Sequence, residues 1–523
     1  MMADDHTSGA LVPSATTGMA SMFVAGTFRR TVACLPVLVV VGCLASGVPT
    51  VSGAIAQEPL VPVLQIDSGS AAPAGDAMQR YAIIRMPQPP GQPFFPEALN
   101  DLGEMGINAY LTSDVRNVIS DGVNNRDLRR PETIPFMRVR LISDSGWAVG
   151  ESFYLKSNYA YWTPDGRFNE IIWPCDDCYG GVRDINSSGA MCGNWAVLDP
   201  YEDFAFRFFN GQWKVLPNLF DEPGRRAFAG AINASGVVVG MCDVIEDGRP
   251  VKREATQWVG NRVGVLPFHE GERGEANDIN DAGVVVGTSD RREGDDLPVL
   301  WEPGQLGRLL ENEHVGETFW AVTPWFINNR GMILGEQLCR SDRFPRGWIY
   351  WSSPDVASRP LYTLYPPNHL WVPEEDARTF QITDVNDHGQ VSGVAYRVDQ
   401  PDAQGFILTP VTYSFNLSAF RPGFTEQPNS ITISKAPPNA VVKLVGGRHG
   451  GGAMITGCRI IDNVLQIENP RLLATATTDA NGKVTIEDVV PAVFADRDLL
   501  FQAYIEETCE ISNLLMQRFA PGP

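Results

Sequence analysis

The sequence predicts an all-β fold, a β-propeller of about seven four-stranded blades followed by a small β-sandwich. Three observations predict it. A motif of an apolar residue, Asn, two variable residues and Gly, followed by a short apolar strand ending in Gly, recurs along residues 99–393. A short aromatic strand that ends in a Pro or Gly turn recurs between the copies. Gly and Pro supply 50 and 39 of the 523 residues, as many short strands joined by tight turns require.

The first 56 residues have the features of a signal peptide. The pair Arg29-Arg30 is basic, the apolar run at 32–44 is too short to span a membrane, and an A-x-A cleavage pattern ends at Ala56. Two alternatives stay open, lipidation at Cys43 in "VVGC" and a twin-arginine route. No later segment has the ~18 consecutive apolar residues of a membrane helix. We therefore expect an exported protein, extracellular or in the cell envelope, without a transmembrane segment.

Residues 57–79 are rich in Pro, Ala, Gly and Ser and lack periodicity, which predicts a linker. The net charge of the chain is −21. Binding to a phosphate backbone depends on Lys and Arg, so this charge excludes nucleic acid as the expected partner.

The repeated motif predicts a β-hairpin. Its Asn begins a turn by accepting a backbone hydrogen bond two residues on, and its Gly supplies the positive φ of a three-residue loop with a bulge. Ser143 replaces the Asn once, and successive copies are 43 to 58 residues apart, with the Asn at positions 100, 186, 233, 280, 328 and 386. With the aromatic strand and a Leu-centred strand, each unit has about four strands, the content of one propeller blade.

The two ends of the repeat region predict ring closure. The region begins in the middle of a unit with "YAIIRM" from Tyr81 and ends with an unpaired aromatic strand, "GFILTPV" from Gly405. Joined, the two would complete one blade and remove the exposed edges of an open array. Six or eight blades, and an open solenoid of hairpins, are the alternatives.

On these motifs, residues 80–411 resemble the HAF-repeat family of extracellular bacterial proteins. The Asn-x-x-Gly-x-x-x-Gly half matches best, whereas the His-Ala-Phe triplet is reduced to Ala205-Phe206. The resemblance implies a propeller-like architecture and an extracellular location, and it implies no activity.

Residues 412–523 form a second predicted domain. Alternating stretches and the hairpin turn "DANGKVTI" indicate an immunoglobulin-like β-sandwich. Cys458 and Cys509 are the two cysteines of this domain, so we expect them to form a disulfide. The "CDDC" at Cys175–Cys178 indicates a local disulfide or a redox pair; zinc is the alternative, although it would need four ligands.

The sequence identifies no catalytic, cofactor-binding or metal-binding residue. The turns at 278–283 and 384–389 have a "D-x-N-D-x-G" pattern but lack the further oxygen ligands of a calcium loop. The tryptophans of the recurrent aromatic strand are expected in the core. Trp320, Trp325 and Trp371 lie off that position and are the candidate binding residues, as is the long loop at 352–380.

The predicted function is a secreted or cell-surface, noncatalytic propeller that binds an extracellular ligand, either carbohydrate or protein, or acts as an envelope scaffold. One alternative is an extracellular polysaccharide hydrolase or lyase, which a pair of carboxylates in the central channel would indicate. Another is a structural spacer without a specific ligand. Because every recurrent feature has a packing explanation, we expect function where the units differ.

Overall fold

The computed structural model describes residues 80–86, 94–111, 114–134, 136–152, 159–175, 177–198, 201–221, 224–246, 249–268, 273–290, 296–312, 319–339, 347–372 and 381–523. These residues form an all-β protein, with short 3-10 helices at Leu361–Leu364 and Ala492–Phe494. The predicted signal peptide and linker lie outside them. Within the described ranges, we find no helix with the length and apolar character needed to cross a membrane.

Strands between residues 80 and 411 form four-stranded antiparallel units, and single parallel residue pairs join four of these units into one 16-stranded sheet. Strand β1 is Arg80–Arg85. Unit 1 has β2 Phe94–Leu99, β3 Met105–Tyr110, β4 Val115–Ser120 and β5 Asn125–Asp127. Unit 2 has β6 Met137–Ile142, β7 Ala148–Ser152, β8 Tyr159–Trp162 and β9 Phe168–Ile171. Unit 3 has β10 Tyr179–Ile185, β11 Met191–Leu198, β12 Tyr201–Phe209 and β13 Gln212–Val215.

The same order of strands continues in the next units. Unit 4 has β14 Arg225–Ile232, β15 Val238–Glu246, β16 Arg249–Val259 and β17 Arg262–Val265. Unit 5 has β18 Arg273–Ile279, β19 Val285–Asp290, β20 Asp296–Trp301 and β21 Arg308–Leu309. Unit 6 has β22 Phe319–Ile327, β23 Ile333–Cys339, β24 Gly347–Trp351 and β25 Arg359–Pro360. Unit 7 has β26 Gln381–Val385, β27 Val391–Ala395 and β28 Gln404–Val411.

The fourth strand of unit 7 is β1, from the opposite end of the region. Strands β1 and β28 pair antiparallel in a register that sets Ile83 opposite Leu408. The pairing predicted between the two ends is therefore confirmed. The first strands of the units also contact one another in cyclic order, from β2 through β6, β10, β14, β18, β22 and β26 back to β2.

The turn after each first strand has the predicted geometry. In unit 3, Asn186 Oδ1 accepts hydrogen bonds from the backbone N–H groups of Ser188 at 3.1 Å and Ala190 at 3.0 Å. Gly189 has a φ of 83°, the left-handed region that glycine adopts without strain. The Asn186 amide also donates to the backbone oxygen of Asn233 in the next unit, at 2.9 Å. The motif thus closes a hairpin and joins neighbouring units.

One feature of the first strands was not predicted. In every unit the pairing of the first and second strands shifts by one residue just before the turn. Such a β-bulge bends the strand and redirects one side chain. The extra residue is Glu97, Arg140, Arg183, Gly230, Asn277, Trp325 or Thr383 in units 1 to 7.

The recurrent tryptophans pack in the core, as the sequence predicts. Trp162, Trp258, Trp301 and Trp351 are among the most deeply buried side chains. Each indole N–H donates to a backbone oxygen that follows the last strand of the preceding unit; for Trp258 the acceptor is Pro217, at 2.7 Å. The second strands, such as the one containing Val238 and Val239, are buried on both faces.

The C-terminal residues form a separate set of strands around a second core. They are β29 Tyr413–Leu417, β30 Pro428–Ser434, β31 Val441–Gly447, β32 Gly450–Met454, β33 Val464–Ile467, β34 Arg471–Thr477, β35 Val484–Val489, β36 Asp498–Ile505, β37 Glu510–Ser512 and β38 Leu515–Arg518. The order is β34-β31-β36-β37-β29-β30-β35, with β38 beside β36 and β32-β33 as a separate hairpin. Phe415, Ile431, Ile433 and Phe501 are in the core.

The β32-β33 hairpin packs against β1. A Cβ on Gly452 would come within 2.5 Å of Ile84 Cγ1, so this close approach requires glycine. Gln466 Nε2 donates to the backbone oxygen of Tyr81 at 2.9 Å, and Arg397 forms an ion pair with Glu468 at 2.9 Å. One hydrophobic cluster includes residues of β1, β3 and the C-terminal strands. The C-terminal strands are therefore packed directly against units 1 and 7.

Candidate functional site

Unit 3 departs from the recurrent aromatic pattern. Phe208 on β12 occupies the position of the buried tryptophans, and Trp213 lies opposite it on β13. In unit 4 the corresponding pair is Trp258 and Val263. Trp213 Nε1 donates to the backbone oxygen of Ile172 at 3.0 Å, and Ile172 directly follows the last strand of unit 2. The indole therefore keeps its hydrogen bond between units while it lies on the outermost strand, partly exposed.

Where Phe208 takes the buried position and Trp213 lies on the outer strand, an open cleft of about 490 Å³ lies between units 2 and 3. We call it the aromatic cleft, and its lining residues are Tyr161, Phe168, Asn169, Glu170, Ile172, Phe208, Gly211 and Trp213. Its volume lies within the range of about 300–1,000 Å³ that is usual for small-molecule sites. Strands β8 and β9 supply one wall, and β12 and β13 with their turn supply the other.

Packed aromatic rings form the floor of the aromatic cleft. The ring centroids of Tyr161 and Phe208 are 6.1 Å apart, and those of Phe208 and Trp213 are 4.9 Å apart. Trp173 contacts Trp213 from the side, at 5.2 Å. Because their neighbours fix these rings, exposed aromatic surface is held in place before any ligand binds, and little side-chain entropy is lost on binding.

Polar groups lie beside the rings. Glu170 is exposed, and Asn169 is half-buried with its Nδ2 donating to the Arg167 backbone oxygen at 3.2 Å, which leaves its Oδ1 as an acceptor. Burial raises the pKa of Tyr161, so its hydroxyl stays protonated and can donate. The aromatic cleft thus combines flat apolar surface with an amide, a carboxylate and a hydroxyl.

The disulfide Cys175–Cys178 closes a short turn in the segment that follows Ile172 and Trp173. The predicted local disulfide is confirmed. The zinc alternative is wrong, because sulfurs that are bonded to each other are not the thiolates that bind zinc.

The three tryptophans proposed from the sequence as binding residues differ in their exposure. Trp325 is half-exposed at the bulge of β22, on a first strand. Trp371 is 1% exposed and packs against Phe406 at 5.5 Å, with the Arg397 guanidinium 5.2 Å from its ring, so the expectation that it is exposed is wrong. It is a core residue because it packs with Leu361 and Leu364 against Tyr81, Ile83 and Phe406 of unit 7. The side chain of Trp320 lies outside the described residues.

Three aspartates of the first strands form a second candidate group. Asp184, Asp278 and Asp384 each accept a backbone N–H from the next residue and one from the following unit; for Asp278 these are Ile279 and Ile327, both at 2.8 Å. Burial raises the pKa of all three, and repulsion between them adds to the shift for Asp278 and Asp384. The pKa of Asp384 is raised to about 7. The carboxylates therefore lie within electrostatic range of one another.

The sequence contained a signal for the aromatic cleft. "AFRFFNGQW" in unit 3 has Phe where the aromatic strands of units 2, 4, 5 and 6 have Trp, and it has a Trp five residues later. Only the pairing of β12 with β13 shows that Phe208 and Trp213 face each other. The sequence therefore shows the unusual Phe and Trp but does not predict a cleft.

Comparisons with known proteins give no family. No family model matches the chain, and no curated protein matches its sequence. Among solved structures, TolB from Acinetobacter baumannii is similar to it, with 11% identity over 55% of this chain and 66% of that protein and a TM-score of 0.31. Prolyl oligopeptidase B from Galerina marginata is similar with 9% identity over 69% of this chain and 58% of that protein, at a TM-score of 0.37.

A protein of unknown function from Dyadobacter fermentans is similar with 13% identity over 63% of this chain and 98% of that protein, at a TM-score of 0.28. The chain spans less than two thirds of the length of TolB and of the oligopeptidase. At these identities and TM-scores the likenesses carry no functional argument. The function has to be argued from the chain itself.

Proposed function

We propose that this protein is an exported, noncatalytic binding protein, in which a seven-bladed β-propeller of the HAF-repeat type is packed against an immunoglobulin-like β-sandwich. Units 1 to 7 are the blades. The cyclic contacts of the first strands and the β1–β28 pairing support a closed ring. The disulfides Cys175–Cys178 and Cys458–Cys509 suit an oxidising compartment.

The observation that carries the binding function is the aromatic exchange in unit 3. Elsewhere the recurrent tryptophan is enclosed in the core, where it contributes to packing. In unit 3 the buried position is Phe208 and the tryptophan, Trp213, is on the outer strand, so that an indole and a cleft reach the surface. A partly exposed aromatic cleft with convergent polar groups is the usual form of a binding site.

A second candidate is an extracellular polysaccharide hydrolase or lyase. One observation favours it, namely that Asp184, Asp278 and Asp384 lie on first strands of the units, within electrostatic range of one another, and have raised pKa values. The hydrogen bonds weigh against it. Each carboxylate already accepts one backbone N–H group from its own strand and one from the following unit, and the second bond joins the two units, which is a structural role.

The test uses immobilised extracellular polysaccharides and proteins with the full mature chain. We expect saturable binding that the double variant Phe208→Trp/Trp213→Val abolishes, together with no release of new reducing ends from any polysaccharide. Cleavage that Asp278→Asn abolishes would establish the enzyme instead. The absence of any saturable binding would establish the spacer.

A further inference from the structure

The surface of the aromatic cleft identifies the kind of ligand it fits. One face of a pyranose ring carries C–H bonds that pack against an aromatic face, and hydroxyl groups around the ring need donors and acceptors at its edge. Trp213 and Tyr161 supply partly exposed rings, and Asn169 and Glu170 lie beside them on β9. Apolar ring surface with polar groups at its edge is the arrangement that such a ligand requires.

The negative charge of the chain and of the cleft rim favours a neutral ligand over an anionic one. The chain has a net charge of −21, and Glu170 places a carboxylate at the rim of the aromatic cleft. Among the residues that the structure describes, none of those lining the aromatic cleft is Lys or Arg. A sulfated, phosphorylated or uronic-acid polymer would be repelled there without a compensating cation, whereas a neutral sugar would not be.

The hydrogen bond of Trp213 weighs against a peptide ligand. Aromatic grooves that take extended proline-rich segments bind backbone carbonyl groups as well as proline rings. Trp213 has one N–H, and it already donates to the Ile172 backbone oxygen. The indole thus offers a ligand only its ring, which suits stacking on a sugar.

We propose that the aromatic cleft between units 2 and 3 binds a neutral carbohydrate, which stacks on Trp213 and Tyr161 and hydrogen-bonds to the Tyr161 hydroxyl, Asn169 and Glu170. This inference rests on the proposed binding function and specifies its ligand class. Phe208 forms the floor because, unlike the tryptophan of the neighbouring units, it leaves the space above it open.

The chain itself provides the design of a variant that closes the cleft. Phe208→Trp/Trp213→Val installs in unit 3 the pair found in unit 4, where Trp258 is buried and Val263 lies opposite it. Because four other units fold around a tryptophan at this position, we expect the variant to fold. Tyr161→Phe is a milder change that removes one hydroxyl and keeps the ring.

The experiment measures binding of the full mature chain to a broad array of neutral glycans. It is followed by titration with the soluble oligosaccharide that binds best, monitored by saturation-transfer NMR. Sulfated and uronic-acid glycans and a proline-rich peptide are the comparison ligands. We expect saturable binding to a neutral glycan, at least tenfold weaker binding by Phe208→Trp/Trp213→Val, and about threefold weaker binding by Tyr161→Phe, since a single hydrogen bond is worth about 0.5–1.5 kcal/mol.

Tyr396→Ala is the matched control, because it removes an aromatic side chain of unit 7 that is 36% exposed and does not line the aromatic cleft, so it should leave binding unchanged. If neutral glycans do not bind, or bind equally to the variant with the closed cleft, the proposal is wrong. If the peptide or a charged glycan binds in the cleft instead, the ligand class is wrong and the binding function stands. If nothing binds through the cleft, both fail.

Discussion

The side-chain amide of Asn386 donates to the backbone oxygen of Asn100 at 2.9 Å, although 286 residues separate them in the chain. The same bond joins Asn328 to Asn386 at 2.8 Å and Asn280 to Asn328 at 3.3 Å. Where Ser143 replaces Asn, the Ser145 hydroxyl donates to the backbone oxygen of Ser187 instead. The turns of the repeat thus form a continuous belt of bonds, and Asn386 closes it.

Asn386→Asp should open this belt while preserving the turn. The carboxylate keeps the oxygen that accepts from the backbone N–H groups of His388 and Gln390, but it replaces the donor that faces Asn100 with a second acceptor. We expect a loss of about 1–3 kcal/mol in the free energy of unfolding, the usual cost of an unsatisfied buried group. Urea denaturation monitored by tryptophan fluorescence measures it.

The matched control is His388→Ala in the same turn, since Ala282 occupies this slot in unit 5. A surface change of this kind is usually worth less than about 0.5 kcal/mol. Equal stability of Asn386→Asp and the control would show that the belt bond contributes nothing to ring closure.

Local pattern explains why the turns and the ring closure were predictable. Asn186 and Gly189 act within one hairpin, so their residue types and spacing define the geometry. The burial of Trp371 depends instead on packing with Leu361 and Leu364 against unit 7, and no periodicity in the sequence encodes that packing. The aromatic cleft depends on which β12 residue faces Trp213, which one strand sequence cannot show.

Asp101 should make stability depend on pH. Burial raises its pKa to about 7, with repulsion from Asp144 and Asp387 adding to the shift. In the unfolded chain the pKa is about 3.9, so the folded state binds the proton more tightly. The contribution of Asp101 to the free energy of unfolding is therefore greatest below about pH 4 and is lost as the pH rises through about 7.

Asp101→Asn should remove the loss of stability at high pH, and unit 6 already has Asn at this position. Asn329 occupies the equivalent position, where its Nδ2 donates to Asp281 and Asp387. We expect the variant to match the native chain near pH 4 and to be more stable at pH 8, by about 1 kcal/mol after allowance for solvent screening. Asn329→Asp should have the opposite effect at pH 8. Thermal melts at pH 4 and pH 8 measure the stability of both variants. If the difference between a variant and the native chain is the same at the two pH values, the pH dependence does not come from Asp101.

Trp258→Phe should weaken the junction between units 3 and 4. The change leaves the backbone oxygen of Pro217 without its indole donor and leaves a void in a packed core. We expect a loss of about 2–4 kcal/mol, from the cavity and the lost hydrogen bond together. Denaturant titration measures it, with Trp325→Ala as the control for a half-exposed tryptophan. A loss no greater than that of the control would show that the recurrent tryptophan is not a structural residue.

The Cys458–Cys509 disulfide, predicted from the sequence and present in the structure, should stabilise the contact between the C-terminal strands and unit 7. Cys458 belongs to the hydrophobic cluster that also contains Ile84 of β1, and Cys509 lies just before β37. The bond therefore ties the segment packed on the closing strand to the C-terminal sheet. It spans 51 residues, so chain entropy alone predicts a contribution of about 4 kcal/mol.

Cys458→Ala/Cys509→Ala should lower the midpoint of thermal unfolding by more than Cys175→Ala/Cys178→Ala does. The second disulfide closes a loop with a separation of three residues, for which chain entropy predicts about 2 kcal/mol. Reductant should lower the midpoint of the native chain and leave a variant without both disulfides unchanged. If the two double variants have the same midpoint of thermal unfolding, the Cys458–Cys509 bond does not stabilise this contact. Packing around Gly452 and Gln466 then holds the C-terminal strands against unit 7. Melting curves with and without reductant decide between the two.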